Sequence, residues 1–343
     1  MSSSGVGKDG VYGARPGSEA LIGQGLDDRG GGRPRRRGRR RRKGEQLMVP
    51  EAEFTSYYGR PVIKAPRWKP LDIAGYFFLG GLAGAGSVLA AGAQATGRPF
   101  MARAMKISSL VAITGSTAAL IHDLGRPERF YNMLRVVRPT SPMNMGSWLL
   151  SAYAPAAGAA AFLDVTGTLP RVGRTATAGA ALLGPAVAAY TAVLATNTAV
   201  PAWHDGYREM PFVFTGSATT AAAGMALIAS PVAENGPAVS AAVFGAVLEA
   251  GAVKLMEHRL GMVAEPYRQG GAGRLMRLAE GMAIAGAAGA ALFGRRNRAA
   301  AAVSGAALLA ASACTRFGIF HAGIASANDP KYTVLPQKER LRN

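Results

Sequence analysis

Residues 74–87 read AGYFFLGGLAGAGS and lie in the first of about eight apolar stretches in this chain. A run of roughly 18 or more apolar residues is typical of a membrane-spanning helix, because backbone groups in hydrocarbon must be hydrogen-bonded within the segment. The glycines at 80–87 resemble a phosphate-binding loop, but no strand pattern precedes them, so close helix packing is the better interpretation. The chain is therefore predicted to be an all-α integral membrane protein.

The composition supports this class. Of the 343 residues, 49% are hydrophobic and only 17% are charged, against roughly 25% charged in soluble domains. The net charge of +19 comes from one N-terminal arm and from the gaps between apolar stretches, which is typical of membrane loops and does not favour nucleic-acid binding. The single Cys314 provides too few ligands for a cysteine-bound cluster or zinc site. We expect no bound metal, haem or cluster in this chain.

The apolar stretches predict eight spans, at about 72–95, 103–122, 147–166, 176–200, 211–230, 237–258, 275–294 and 299–321. The predicted divisions are a disordered basic arm (1–47), an interfacial entry segment (48–71), the membrane domain (72–325) and a C-terminal tail (326–343). The arm contains RPRRRGRRRRK at 33–43, and we assign no chemical role to it. Alternatively, the arm is an extension that precedes a true start at Met48.

An even number of spans places both chain ends on one side, here called face A. Face A collects the loops near 123–146, 201–210 and 259–274, and face B has the short links 96–102, 167–175, 231–236 and 295–298. All four histidines fall at face A ends of spans: His122, His204, His258 and His321. Because histidine moves protons near neutral pH, ordered chemistry or a docked partner is expected at face A. The alternative is that these residues only anchor helix ends.

Ionisable groups inside spans are costly and usually functional. Glu249 lies near the middle of the sixth span. This position indicates a proton relay or a pair with Arg316, and the alternative is a structural hydrogen bond to a neighbouring helix. Lys254 and His258 share one helix face and lead from there toward face A. These four residues are the proton-relay candidates. Tyr190 in the fourth span also needs a partner, either a ligand carbonyl or another helix.

The loop between the second and third spans reads HDLGRPERFYNMLRVVRPTSPMNMGSW at 122–148, and it closely resembles the signature of the NrfD/PsrC family of polysulfide-reductase-type membrane subunits. SYYGRPVIKAPRWK at 56–69 and YTAVLATNTAVPAW at 190–203 are similar to the family's entry into its first span and to its fourth span. The resemblance covers roughly 53–325. It implies eight helices in two four-helix bundles, in the cytoplasmic membrane of a bacterium.

The resemblance also implies a function. Family members anchor a ferredoxin-like iron–sulfur subunit, which contacts a molybdopterin-containing catalytic subunit, and they exchange electrons with membrane quinone, here expected to be menaquinone. The pocket is expected among the first four spans at face A. Tyr190 matches the tyrosine that hydrogen-bonds the quinone, and Tyr76 falls where some members have a histidine. Asp72, one turn earlier, and the pair His122 and Asp123 complete the expected site.

The loop at 122–148 is expected to dock the partner. Arg126, Glu128, Arg129 and Arg135 are the docking candidates, with lipid headgroups as the alternative target. ERFYNMLRVVR predicts a short interfacial helix with Phe130, Met133, Leu134 and Val137 on its apolar face.

Two other functions stay open from the sequence. One is a proton- or ion-translocating subunit that uses the relay candidates, and the other is a structural anchor without its own quinone site. The side of the membrane is also open. The basic loops predict face A in the cytoplasm, whereas the resemblance implies that the equivalent face, with its catalytic subunits, lies outside the cytoplasmic membrane.

Overall fold

The computed structural model describes residues 61–342 and four residues of the N-terminal arm, and the chain divides into two units between Val62 and Ile63. In the first unit, strand β1 (Val6–Gly7) pairs antiparallel with β2 (Gly10–Val11). The rest of the basic arm, including the predicted disorder, lies outside the described residues. The predicted domain divisions stay predictions.

The second unit is mostly helical in its described residues. Eight of its helices are long and apolar enough to cross a membrane: α1 (Pro70–Ala95), α2 (Pro99–Asp123), α4 (Pro142–Thr166), α5 (Pro170–Thr196), α7 (Met210–Ala229), α8 (Gly236–Leu260), α10 (Gly270–Phe293) and α11 (Arg298–Asn328). Shorter helices join them: α3 (Arg129–Leu134), α6 (Pro201–His204), α9 (Glu265–Arg268), α12 (Lys331–Arg342) and the 3-10 turns Val232–Glu234 and Gly261–Ala264. The all-α class with eight membrane-spanning helices is confirmed.

Prolines explain most differences between predicted and observed helix ends. Pro142 and Pro170 begin α4 and α5 earlier than the predicted 147 and 176, because proline fits the first turn, where its missing N–H costs nothing. Pro201 begins α6, so the fourth span ends at Thr196 rather than at 200. The last span is longer than predicted and reaches Asn328, and most of the tail that follows it is helix α12.

Helix α1 lies at the centre of the helical unit. It packs against α2 and α5 on one side and against α7 and α11 on the other. At its crossing with α5, Gly84 faces the backbone of Gly184, and a Cβ at either position would collide with the other helix. This confirms the packing role predicted for the glycines at 80–87. Because α1 and α5 both also contact α7, the division into two four-helix bundles stays a prediction.

The helix ends are tied together separately on the two faces. On face B, Asp164 of α4 pairs with Lys106 at 2.8 Å and Arg103 at 2.9 Å. On face A, the fully buried indole of Trp203 stacks on Trp68 with ring centroids 5.4 Å apart. The stacked tryptophans fasten the end of the entry segment to α6 and give face A an ordered surface on which a site can form.

Candidate functional site

The candidate site starts where the ends of α1 and α2 meet at face A. Nδ1 of His122 lies 2.8 Å from Oδ2 of Asp72, and the backbone N–H of Lys69 donates to Oδ1 of Asp123 at 3.2 Å. Asp72 stands in the first turn of α1 and His122 in the last turn of α2, where the helix dipoles favour an anion and a cation. The partner of His122 is thus Asp72, and the adjacent Asp123 instead fastens the start of α1.

These two side chains differ in their access to water. The side chain of His122 is 66% exposed, whereas that of Asp72 is 14% exposed. A carboxylate bound to Nδ1 fixes the orientation of the imidazole ring, and the other ring nitrogen then remains for proton exchange. The pair therefore places an imidazole that is open to water beside a mostly buried carboxylate at face A.

Tyr76 lies below this pair. It is four residues after Asp72, on the same side of α1 and about 6 Å deeper at 1.5 Å per residue, and it is 1% exposed. Ser116 of α2 donates to its backbone carbonyl at 3.2 Å. Tyr76 therefore belongs to the interface between α1 and α2.

Tyr190 approaches from α5. Its hydroxyl donates to the carbonyl of Pro142 in the first turn of α4. Its ring covers Gly146, where any Cβ would collide with the ring. Tyr190 lies six residues before the end of α5 and Tyr76 six residues after the start of α1, so each is about 9 Å below face A. The two phenols also interact electrostatically.

The five expected quinone contacts thus fall into two layers. The structure joins Asp72 with His122 directly at face A, and Asp123 holds the neighbouring backbone. Tyr76 and Tyr190 lie one to two turns deeper, from two different helices. Phenol hydroxyls and an imidazole are groups that hydrogen-bond a carbonyl or a hydroxyl of a ligand.

The loop between α2 and α4 is held by one side chain that the sequence did not single out. Asn144 accepts from the backbone N–H of Arg138 at 2.6 Å and donates to the carbonyls of Met133 and Val136 at 2.5 and 2.7 Å. Asn144 stands in the first turn of α4. Its three hydrogen bonds fasten the loop onto the membrane helix that also carries Pro142.

The predicted short helix in this loop is confirmed as α3. It ends at Leu134, so Val137 lies beyond it and is 64% exposed. Arg126, Glu128 and Arg135 have exposed side chains, and the side chain of Arg129 lies outside the described part. The exposed charges are thus available to a partner surface.

An ion pair that sequence reasoning missed ties α7 to α8 at face A. Arg259 donates to the two carboxylate oxygens of Glu209 at 2.6 and 2.5 Å. The Glu209 side chain is 8% exposed, and the hydrogen-bonded guanidinium holds the pKa of its carboxyl below the usual range. The two residues are far apart in sequence, so no local pattern links them.

The four proton-relay candidates separate into two groups. Glu249 and Arg316 are buried, at 6% and 0% exposure. Lys254 lies nearer face A, 3.1 Å from Glu280, and its side chain is 60% exposed. His258 is exposed in the last turn of α8. Among the residues that the structure describes, no direct ion pair joins Glu249 to Arg316.

Across the described ranges, no group of three or more histidine, cysteine and carboxylate side chains is placed to hold a metal ion.

The family model for polysulphide reductase, NrfD, matches residues 67–241, which is just over half of the chain. The match includes the loop at 122–148 and the first five membrane helices. No curated protein matches the chain.

Proposed function

Because the chain belongs to the polysulphide reductase NrfD family of membrane subunits, we propose that it binds quinone at face A and exchanges electrons between that quinone and a docked partner. Proteins of this family interact with quinone and assemble with iron–sulfur and molybdopterin-containing subunits. For this chain, we propose menaquinone as the quinone, a ferredoxin-like iron–sulfur subunit as the docked partner, and the cytoplasmic membrane of a bacterium as the location.

The observation that carries the proposal is the layered arrangement of polar groups at the ends of α1, α2 and α5. The hydrogen-bonded pair of His122 and Asp72 is open to water, and Tyr76 and Tyr190 lie about 9 Å beneath face A. A quinone that enters between helices can direct its polar ring toward these groups, while its apolar tail stays in the bilayer. The redox chemistry belongs to the quinone and to the partner's cluster, and the chain binds and orients.

The hydrogen-bond direction of the Tyr190 hydroxyl determines whether it can contact a quinol or a quinone. Its hydroxyl hydrogen is donated to the carbonyl of Pro142, so its oxygen remains free to accept a hydrogen bond from a quinol hydroxyl. To donate to a quinone carbonyl, the hydroxyl must turn away from Pro142. Tyr190 can thus contact both redox forms, through opposite hydrogen-bond directions.

Proton transfer accompanies electron transfer at this site. Reduction of a quinone takes up two electrons, arriving singly from the partner's cluster, and two protons, which convert its two carbonyls to hydroxyls. We assign His122 the exchange of these protons with water, with Asp72 holding the ring in position. Oxidation of a quinol runs through the same groups in reverse.

The exposed charges of the loop at 122–148 are the proposed docking surface. Asn144 fastens this loop to α4, so a partner bound to Arg126, Glu128 and Arg135 stands directly above the proposed quinone site. The side chain of Arg129 is included in this proposal on sequence grounds alone.

Substitution of Tyr190 by phenylalanine tests the assignment. We expect Tyr190→Phe in the purified complex to raise the KM for quinone about three- to tenfold, the range expected for loss of one hydrogen bond. Tyr267→Phe is the matched control, because Tyr267 is also a phenol that donates to a backbone carbonyl, that of Ala202 at 2.9 Å. The measurement is steady-state turnover with a soluble quinone analogue. Equal KM values for the two variants and the unaltered complex would mean that Tyr190 does not bind quinone.

A further inference from the structure

A second polar feature lies in the other half of the helical unit. A cavity of about 280 Å³ runs between α8, α10 and α11. Its wall includes Glu257 and Arg268 near face A, and also Lys254, Glu280, Glu249 and Thr315. Because a water molecule occupies about 30 Å³ in the liquid, the cavity has room for several waters.

The inner end of this cavity lies deep in the membrane. Glu249 is eleven residues before the end of α8 at Leu260, which places it about 16 Å below face A, near the middle of a hydrocarbon layer about 30 Å thick. Its Oε1 accepts from the hydroxyl of Thr315 at 2.5 Å, whereas its Oε2 has no hydrogen-bond partner. A carboxyl group this deep is costly unless it performs a function.

Arg316 completes the buried end. Its Nη2 donates to the carbonyl of Phe214 at 2.6 Å, and its guanidinium lies 3.9 Å from the centre of the Phe214 ring. Its Nε and Nη1 have no partner, although Arg316 interacts electrostatically with Glu249. The two charges therefore attract each other without a direct hydrogen bond, an arrangement that leaves the carboxyl able to hold a proton.

The other groups around Glu249 are neutral or already paired. On α7, the neighbouring Ser217 and Thr220 are neutral, and their hydroxyls bond Ser312 and the carbonyl of Gly216. On the same wall, Lys254 pairs with Glu280 at 3.1 Å and Arg268 pairs with Glu257 at 3.0 Å. The remaining polar side chains of the wall are those of Tyr267 and Arg277, and Arg277 donates to the carbonyl of Arg268. Among the described residues, Glu249 is thus the carboxyl group of this wall with an unpartnered buried oxygen.

We propose that this cavity is a water-filled path through which Glu249, in the middle of the membrane, takes up and releases a proton from face A. In the protonated form, the carboxyl gains an O–H that can donate to water at the inner end of the path. In the ionised form, the neighbouring guanidinium of Arg316 stabilises the charge. The proton comes from water and returns to water, so the step needs no further reactant. This site is separate from the proposed quinone site among α1, α2, α4 and α5.

Cysteine accessibility tests the water path. Each variant is made in a Cys314→Ser background, in the full complex, so that the introduced thiol is the one that this chain contributes. Ala250→Cys lies on the wall of the cavity. The matched controls are Val247→Cys, slightly deeper, and Gly251→Cys, slightly nearer face A, and both lie on the exposed side of α8. A membrane-impermeant thiol reagent is applied to each side of oriented vesicles in turn.

We expect the reagent to label Ala250→Cys from face A at least tenfold faster than either control. Labelling of Ala250→Cys at the same slow rate as the controls, or from face B, would overturn the water path.

Infrared spectroscopy tests the proton. The complex should show a carboxylic-acid C=O band that disappears as the pH is raised, that shifts promptly on transfer to D₂O, and that is missing in Glu249→Gln. The control Glu280→Gln, which alters a carboxyl group of the same wall that is exposed and paired with Lys254, should keep the band. Absence of any Glu249-dependent band across the accessible pH range, or a band that does not exchange in D₂O, would overturn the proposal. Neither readout depends on quinone binding.

Discussion

Glu209 illustrates what a single ion pair does for the second half of the molecule. Arg259 holds the pKa of its carboxyl below the usual range, so the pair contributes stability at pH values above the ordinary glutamate pKa of about 4.3. That contribution is lost as the pH falls through the lowered pKa of the folded protein. The stability of the detergent-solubilised protein should therefore decline in this acidic range.

Glu209→Gln should remove this acid-sensitive contribution. We expect it to destabilise the protein at pH 7 by about 2 kcal/mol, as for loss of a hydrogen bond between charged groups, and to flatten the decline in melting temperature below about pH 4. Glu280→Gln is the control, because its pair with Lys254 is exposed and is worth about 0–1 kcal/mol. An unchanged acid profile in Glu209→Gln would show that the pair does not stabilise the fold.

For single residues, the sequence predicts which side chains are functional better than it predicts which side chains they contact. Tyr190 was predicted from the family resemblance and from its position inside a span, Asp72 from its place one turn before Tyr76, and Glu249 from its position inside an apolar run. The contacts of Asp72 with His122 and of Glu209 with Arg259 join residues about fifty positions apart. Such pairings depend on how the helices are arranged, which no local pattern records.

Among the elements, the loop between α2 and α4 depends on Asn144. Asn144→Ala removes three hydrogen bonds that hold this loop to α4 and should leave the membrane helices in place. We expect faster tryptic cleavage after Arg135, because a released loop enters the protease more readily, and weaker retention of the partner subunit during purification. Limited proteolysis with peptide mapping measures the first effect.

Asn235→Ala is the matched control, since Asn235 donates to the carbonyl of Gly294 on face B. It should leave cleavage in the loop unchanged. Equal cleavage rates in the two variants and the unaltered protein would contradict the role assigned to Asn144.

The helices themselves were predictable because their apolar length is set by the thickness of the membrane. The ends of the helices were less predictable. Pro142 and Pro170 start α4 and α5 in stretches that are too polar to be recognised as part of a span, and the long α11 continues past the predicted end at 321 as far as Asn328. Helix ends follow proline and capping chemistry, whereas hydropathy reports only the buried middle.

For the whole molecule, α1 connects the two polar features. It carries Asp72 and Tyr76 of the proposed quinone site, and five residues further on Gly81 lies against the guanidinium of Arg316. The sequence predicted eight spans and a functional face A. It did not predict the cavity between α8, α10 and α11, because a cavity arises from the way three helices pack. The family match ends at residue 241 and so stops before the cavity wall, whose lining residues begin at Ala246.

The most direct test of the central claim is to locate quinone in the purified complex with a photoreactive menaquinone analogue, followed by peptide mass spectrometry. We expect the adducts on α1, α2, α4 and α5 within two turns of Tyr76 and Tyr190, and we expect excess menaquinone to suppress them. Adducts confined to α8, α10 and α11, or adducts that excess menaquinone does not suppress, would contradict a quinone site at this end of α1.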